Sequence, residues 1–208
     1  MTFSDKESKL IDLIIESNKD KNIVDIDKYN KKIKYSSKLK IHREISKLTS
    51  EEICRAYLVT NLVIFQNYEP EAIELEKGYE AGRPKTIKPR IDLILNEKGE
   101  DIFYFVEVKA FEKYESDKKY IDGQIFKLKD LEDKKVKNGL YYSVTFDEKN
   151  NQALQKMETI DLVKYQQFDE WEKNGYPSLS NQISSNFGKP KKKSIRKKLK
   201  KWFEKKIW

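Results

Sequence analysis

Apolar positions along the chain recur with two periods, and the changes between them mark out the elements. Leu10, Leu13, Ile14 and Ile15 fall at helical spacing within residues 6–17, and the polar run SNKDKN (17–22) closes that segment. A second, basic helix is expected in SKLKIHREISKL (37–48). Residues 48–65, LTSEEICRAYLVTNLVIF, carry the signature of a capped helix. Thr49 or Ser50 is the N-cap, Glu51 and Glu52 complement the helix dipole, and a long apolar stripe follows.

After QNYEPE (66–71) the period becomes two. Ile73 and Leu75 alternate with Glu74 and Glu76, and residues 88–111 predict two strands joined by a turn at NEKGED (96–101). Helical spacing returns at Ile121, Ile125, Leu128 and Leu131, with Asn138 and Gly139 expected to end that helix. LYYSVTF (140–146) reads as a buried strand, METIDLVKY (157–165) as another, and QQFDEWEKNG (166–175) as a helix. The order helix, strand, strand, strand, helix, strand predicts an α/β sandwich around a mixed sheet. Four regions are expected: an N-terminal helical extension (1–48), a core (49–175), a Ser-, Asn-, Gly- and Pro-rich linker (176–194), and a C-terminal helix (195–208).

Composition sharpens this picture where it is uneven. Residues 189–208 hold 11 Lys and Arg against the single acid Glu204, whereas residues 1–188 hold 32 basic and 34 acidic residues. The body is therefore nearly neutral and the tail carries the positive field. Ile195, Leu199, Trp202, Phe203 and Ile207 recur at helical spacing there, which makes a basic amphipathic helix open to three uses: docking, nucleic-acid contact or membrane-surface binding. With 38% charged and 38% hydrophobic residues, the 208-residue chain can bury a real core. One cysteine, Cys54, and one histidine, His42, exclude an intramolecular disulfide and a Cys/His metal site. No charged-then-apolar leader and no run of eighteen apolar residues occurs, so an intracellular, cytoplasmic protein is expected.

The candidate chemistry lies in FYFVEVKA (103–110). Glu107 and Lys109 point to one face of the strand in line with Phe103 and Phe105, while Tyr104, Val106 and Val108 take the other. An incidental ion pair on a wet face is one explanation. The flanking phenylalanines argue against it, because a charge pair on an apolar face needs a reason. Asp92 interrupts the preceding strand in the same way, sharing its face with Ile94, while Ile91, Leu93 and Leu95 form the other. Strands lie about 4.8 Å apart, so Asp92 and Glu107 can converge. Two carboxylates about 5 Å apart repel by roughly 3 kcal/mol unless a cation lies between them. Lys109 supplies one positive group and a divalent metal, best magnesium, supplies another. That trio matches the needs of phosphodiester hydrolysis: Asp92 and Glu107 hold metal, while Lys109 orients the attacking water, assists its deprotonation or stabilises developing charge.

These residues also carry a resemblance. PRIDLIL (89–95), the fourteen residues between Asp92 and Glu107, and EVK (107–109) resemble the core of PD-(D/E)XK nucleases. Together, EEICRAYLVTNLV (51–63), AIELEKGYEAGRPKTIKPRIDLIL (72–95), FVEVKAF (105–111) and GQIFKLKDL (123–131) are similar to the N-terminal nuclease domain of type I restriction enzyme R subunits. Similar domains precede adenine-specific DNA methylases, and FDEWEKNGYPSLSNQISSNFGKP (168–190) resembles the segment leading into their next module. The resemblance implies a restriction-endonuclease-like mixed sheet flanked by helices. It also implies magnesium-dependent cleavage of double-stranded DNA, with manganese able to substitute, in a restriction or defence system. On this basis Asp92, Glu107, Lys109 and Gln124 are the catalytic positions and Glu52 an additional metal acid, with Glu51 and Glu76 as competitors for that role. Leu128 stands where such domains carry a tyrosine. No P-loop or methylase motif is present, so a motor or methylase subunit or module is the implied partner.

Overall fold

Ser4 starts the first helix with a reciprocal cap: its hydroxyl accepts the Glu7 amide, and the Glu7 carboxylate accepts the Ser4 amide. The computed structural model describes residues 2–80, 89–96 and 102–179. Helix α1 (Asp5–Asn18) buries Leu10, Ile11 and Ile14, and leaves Leu13 and Ile15 partly exposed, so its apolar stripe is rotated from the expected one. Asn18 ends it by donating to Ile14 O and Thr60 Oγ1 and accepting from the Val24 amide, which ties three elements together.

Strands β1 (Val24–Asp27) and β2 (Lys32–Tyr35) then form an antiparallel hairpin that the sequence pattern did not announce. The helix expected over 37–48 is absent. In its place β3 (Lys40–Ile41) runs parallel to the later strand β4 (Ile73–Gly78). The reason is tertiary: Glu74 of β4 binds Lys40 and His42, and the His42 amide donates to Leu75 O. Helical propensity is a weak prior against such pairing.

Thr49, of the two candidates, caps α2 (Ser50–Thr60) by accepting the Glu52 amide. Ser50 instead donates to Glu7 at 2.5 Å, fastening α2 to α1. The main sheet has the order β3-β4-β5-β6-β7-β8, with β5 (Arg90–Asn96), β6 (Ile102–Val108), β7 (Val136–Asp147) and β8 (Gln152–Asp161). β3–β4 and β6–β7 are parallel and the other neighbours antiparallel. The chain is thus mixed α/β, with a six-stranded mixed sheet flanked by helices.

Strand alternation divides the apolar residues between two cores. Val106 and Val108 join Leu93 and Leu95 beneath α1 and α2, whereas Phe105 and Ile94 face the second core with Ile125, Phe126 and Trp171. Ile91 also joins the second core, against the expectation that it shares a face with Leu93. Each fully buried aliphatic side chain contributes roughly 1.5–3 kcal/mol. Residues from Leu10 to Leu48 pack in the same core as Ile53 to Leu62, so the N-terminal region forms one packed layer with the sheet.

The second core is closed by a π-helical turn (Asp122–Phe126) running into the short α3 (Lys127–Lys129), and by α4 (Phe168–Lys173). Asn138 and Gly139 lie inside β7 and do not end the helix. A side chain at Gly139 would sit 2.9 Å from Ile125 Cγ2, so the missing Cβ lets the helical turn lie on the sheet. No helix among the described residues is long and apolar enough to cross a membrane. Most of the predicted turn at 96–101, the linker from residue 180 onward and the basic helix at 195–208 lie outside the described residues.

Candidate functional site

Leu93 pairs with Val106 across β5 and β6, and Asp92 and Glu107 flank that pair on the two strands. The Val108 amide donates to Asp92 Oδ2 at 2.7 Å, which pins that carboxylate to the neighbouring strand. Lys109 follows the last residue of β6 and is held by β7 on both sides: its amide donates to Tyr142 O and its carbonyl accepts from Ser143 Oγ. Its Nζ lies 2.5 Å from Glu107 Oε1. Asp92, Glu107 and Lys109 are 8%, 3% and 7% exposed, so the pair does not stand on a wet face.

Helix α2 brings three more charges. Lys109 Nζ is 3.8 Å from Glu51, while Glu52 turns the other way, accepting from the Tyr35 hydroxyl at 2.5 Å and from Arg55 Nη1 at 2.8 Å. Arg55 is 3% exposed. Its Nη2 binds Glu76 at 2.9 Å and makes a very short contact to Asp92 Oδ1. Glu76 reaches this point from a left-handed backbone, φ 56°, at the position where the β4–β5 ladder is interrupted opposite Asp92. A non-glycine residue held there costs of order 1 kcal/mol or more.

The electrostatics follow from this crowding. Burial first, then the charge of Asp92, pushes the Glu107 carboxyl well above the usual range against the pull of Lys109. Burial also raises Glu51 and Glu52, with Asp92 adding to both. Lys109 is disfavoured as a cation by burial, yet Glu107 more than restores the charge and its pKa is raised. Arg55 behaves likewise: burial is the largest single influence, and Asp92, Glu52, Tyr35 and Glu76 together overcome it and raise its pKa. Five carboxylates, Glu51, Glu52, Glu76, Asp92 and Glu107, surround two cations, Arg55 and Lys109. The surplus is negative.

This donor set fits a hard divalent ion in kind, since it offers only oxygen and carries excess negative charge. Asp92 and Glu107 come from neighbouring strands, with Asp92 Oδ1 on Arg55, Asp92 Oδ2 on the Val108 amide and Glu107 Oε1 on Lys109; magnesium commonly takes one or two protein carboxylates with water and phosphate completing its shell. Among the described residues no three His, Cys, Asp or Glu side chains converge as a metal-binding group. Both Glu52 oxygens are committed to Tyr35 and Arg55, and Glu76 Oε1 is committed to Arg55. Gln124 sits in the π-helical turn, which packs against β5 and β6, and its buried Oε1 has no partner among the described residues. Leu128 is buried in the second core.

Arg55 is the site residue that pattern reading passed over. Its position three residues after Glu52 was a signal for a helical ion pair, but not for one turned inward. Cys54, beside it, is an interior thiol, pushed by burial up to about 11 and bonded to Val144 O and Ser143.

A separate polar knot on β4 yields an acid-stability prediction. Burial pushes Glu74 upward, but hydrogen bonds from His42, Lys40 and Asn96 overcome it and hold the carboxyl at about 2. A depressed carboxyl stabilises the fold above its unfolded pKa and loses that contribution as pH falls through the folded value. Glu74→Gln will therefore be less stable than wild type at pH 6, and the two will converge between about pH 4.5 and pH 2. Urea unfolding at several pH values checks this; a constant gap would remove Glu74 as its source.

No protein-family model matches the chain, and a search of curated proteins returns no significant relative.

Proposed function

We propose that this chain is a magnesium-dependent endonuclease of restriction-endonuclease-like fold that hydrolyses phosphodiester bonds of double-stranded DNA. The observation that carries the reading is the meeting of Asp92 and Glu107, from neighbouring strands, with Lys109 Nζ seated on Glu107, all three buried. Charges placed there cost stability, and their concentration is the mark of a working site. Asp92 and Glu107 would hold the ion; magnesium, when bound, supplies Lewis-acid polarisation of the phosphate and lowers the pKa of water.

Lys109 keeps its proton at neutral pH, because Glu107 raises its pKa. Of the roles open to it, this supports orienting the attacking water and stabilising charge on the phosphate, in preference to taking the water's proton. Glu107 and the two backbone bonds from β7 hold the ammonium in place. Water attacks in line, releasing its proton to solvent, and the P–O bond to the leaving oxygen breaks as that oxygen takes a proton from solvent, with no covalent enzyme intermediate. Gln124 is a further positioning group, supported by its unpartnered buried Oε1. The net charge of residues 189–208 supports contact with the DNA backbone, and a motor or methylase partner in the cytoplasm is part of the same reading.

A second reading is a non-cleaving module of the same fold that docks on DNA or on a partner subunit. It is favoured by Arg55, which satisfies Asp92, Glu52 and Glu76 as a structural ion network would. Supercoiled plasmid decides between them. The full chain will convert it to nicked and linear forms with Mg2+ or Mn2+ and will leave it intact in EDTA. Intact plasmid in both metals, from a folded sample, would favour the docking module.

A further inference from the structure

Arg55 is held by acids from three elements: Glu52 on α2, Glu76 on β4 and Asp92 on β5. Two features mark the arrangement as built for more than packing. Arg55 Nε is buried with no partner among the described residues, so charge places the side chain without full hydrogen-bond satisfaction. Glu76 adopts a left-handed backbone, φ 56°, at the point where its carboxylate meets the guanidinium. Both cost stability, and both involve the side chain whose Nη2 also meets Asp92.

We propose that Arg55 is a built-in counter-cation that takes the place of the divalent ion in the metal-free protein and competes with it for Asp92. The inference rests on Asp92 and Glu107 being metal ligands. Without metal, the guanidinium neutralises Asp92 and holds the carboxylates together against their mutual repulsion. When a divalent ion shares Asp92, Arg55 withdraws from that carboxylate and stays on Glu52 and Glu76, which are positioned to retain it. Glu52 keeps its place in both states through the Tyr35 hydroxyl. Arg55 thereby sets the metal concentration at which the site fills.

The test uses the full chain and Mn2+ as the probe, with free Mn2+ read by EPR and thermal melting followed in EDTA and in saturating Mn2+. Arg55→Gln will bind Mn2+ about tenfold or more tightly than wild type, since no cation has to be displaced. It will melt lower than wild type in EDTA, and Mn2+ will narrow that gap. Arg55→Lys preserves the charge but cannot bridge three acids, and it too will bind Mn2+ more tightly. A gain in Arg55→Gln alone means that long-range charge sets the affinity, which overturns direct competition. Equal affinity in all three proteins also overturns the inference and leaves the metal site standing, provided Glu107→Gln loses the ion. If Arg55→Gln fails to fold, Arg55→Lys decides by the same readout. Absence of Mn2+ binding to every protein, wild type included, ends the metal reading and this inference with it.

Discussion

Lys109→Met will cut plasmid cleavage by about 10² to 10³, the cost of removing one group that stabilises transition-state charge. The double variant Lys109→Met/Glu107→Gln will be equally inactive but more stable than the single one at neutral pH. Lys109 is the cation in direct contact with Glu107, a carboxyl only 3% exposed. Removing one partner of such a pair costs about 3 to 5 kcal/mol when the other must stay charged. Glu107 can escape part of this by taking a proton, because burial and Asp92 already raise its pKa. A raised folded pKa favours the native state fully below the unfolded value, and that benefit is lost as pH rises through the folded value. The deficit of the single variant relative to the double one will therefore be small near pH 4 and grow toward pH 8. Denaturant unfolding across that range measures it, alongside the cleavage assay. Wild-type cleavage by Lys109→Met would sink the catalytic assignment; equal stability of the two variants at pH 8 would sink the account of the pair.

Trp171→Ala will destabilise the fold by about 3 to 5 kcal/mol, the range for deleting a large buried aromatic. Trp171 is fully buried, and its ring lies 5.0 Å from Tyr176, 6.0 Å from Phe168 and 6.1 Å from Phe126. Its indole N–H donates to Pro177 O at 3.0 Å, so truncation also strands a carbonyl. The loss reaches toward the site, because Phe126 ends the π-helical turn that holds Gln124 against β5 and β6. The urea midpoint will fall with little change in slope, and Trp171→Phe, which keeps most of the volume, will lose much less. A cost below about 1 kcal/mol for Trp171→Ala would mean that α4 stands outside the cooperative core.

The elements that were legible in the sequence are those whose signals are local. Thr49 with Glu51 and Glu52 announces α2 because capping acts within one turn. The alternation through Phe105, Val106, Glu107 and Val108 gives the two faces of β6 because a strand's period is two. The same arithmetic, two interrupted strands joined by a short connection, predicts Asp92 near Glu107, and β5 and β6 are neighbours in the sheet.

Segment 37–48 went wrong for the opposite reason. Its lysine-rich, Leu- and Ile-spaced pattern suits a helix in isolation, and only Glu74, some thirty residues away, selects β3 by binding Lys40 and His42. Asn138 and Gly139 read as a stop, whereas the glycine serves the approach of Ile125 to the sheet. The sequence by itself thus determined the mixed α/β class and the strands that carry Asp92 and Glu107, because periodicity and capping are short-range properties of the chain. Tertiary structure alone decided that Arg55 turns inward, that Glu76 takes a left-handed backbone to meet it, and that Glu52 faces Tyr35 and Arg55 while Glu51 lies nearer Lys109. Those choices depend on charges from α2, β4 and β5 meeting where water is excluded, and no local pattern encodes the strength that burial gives to such a meeting.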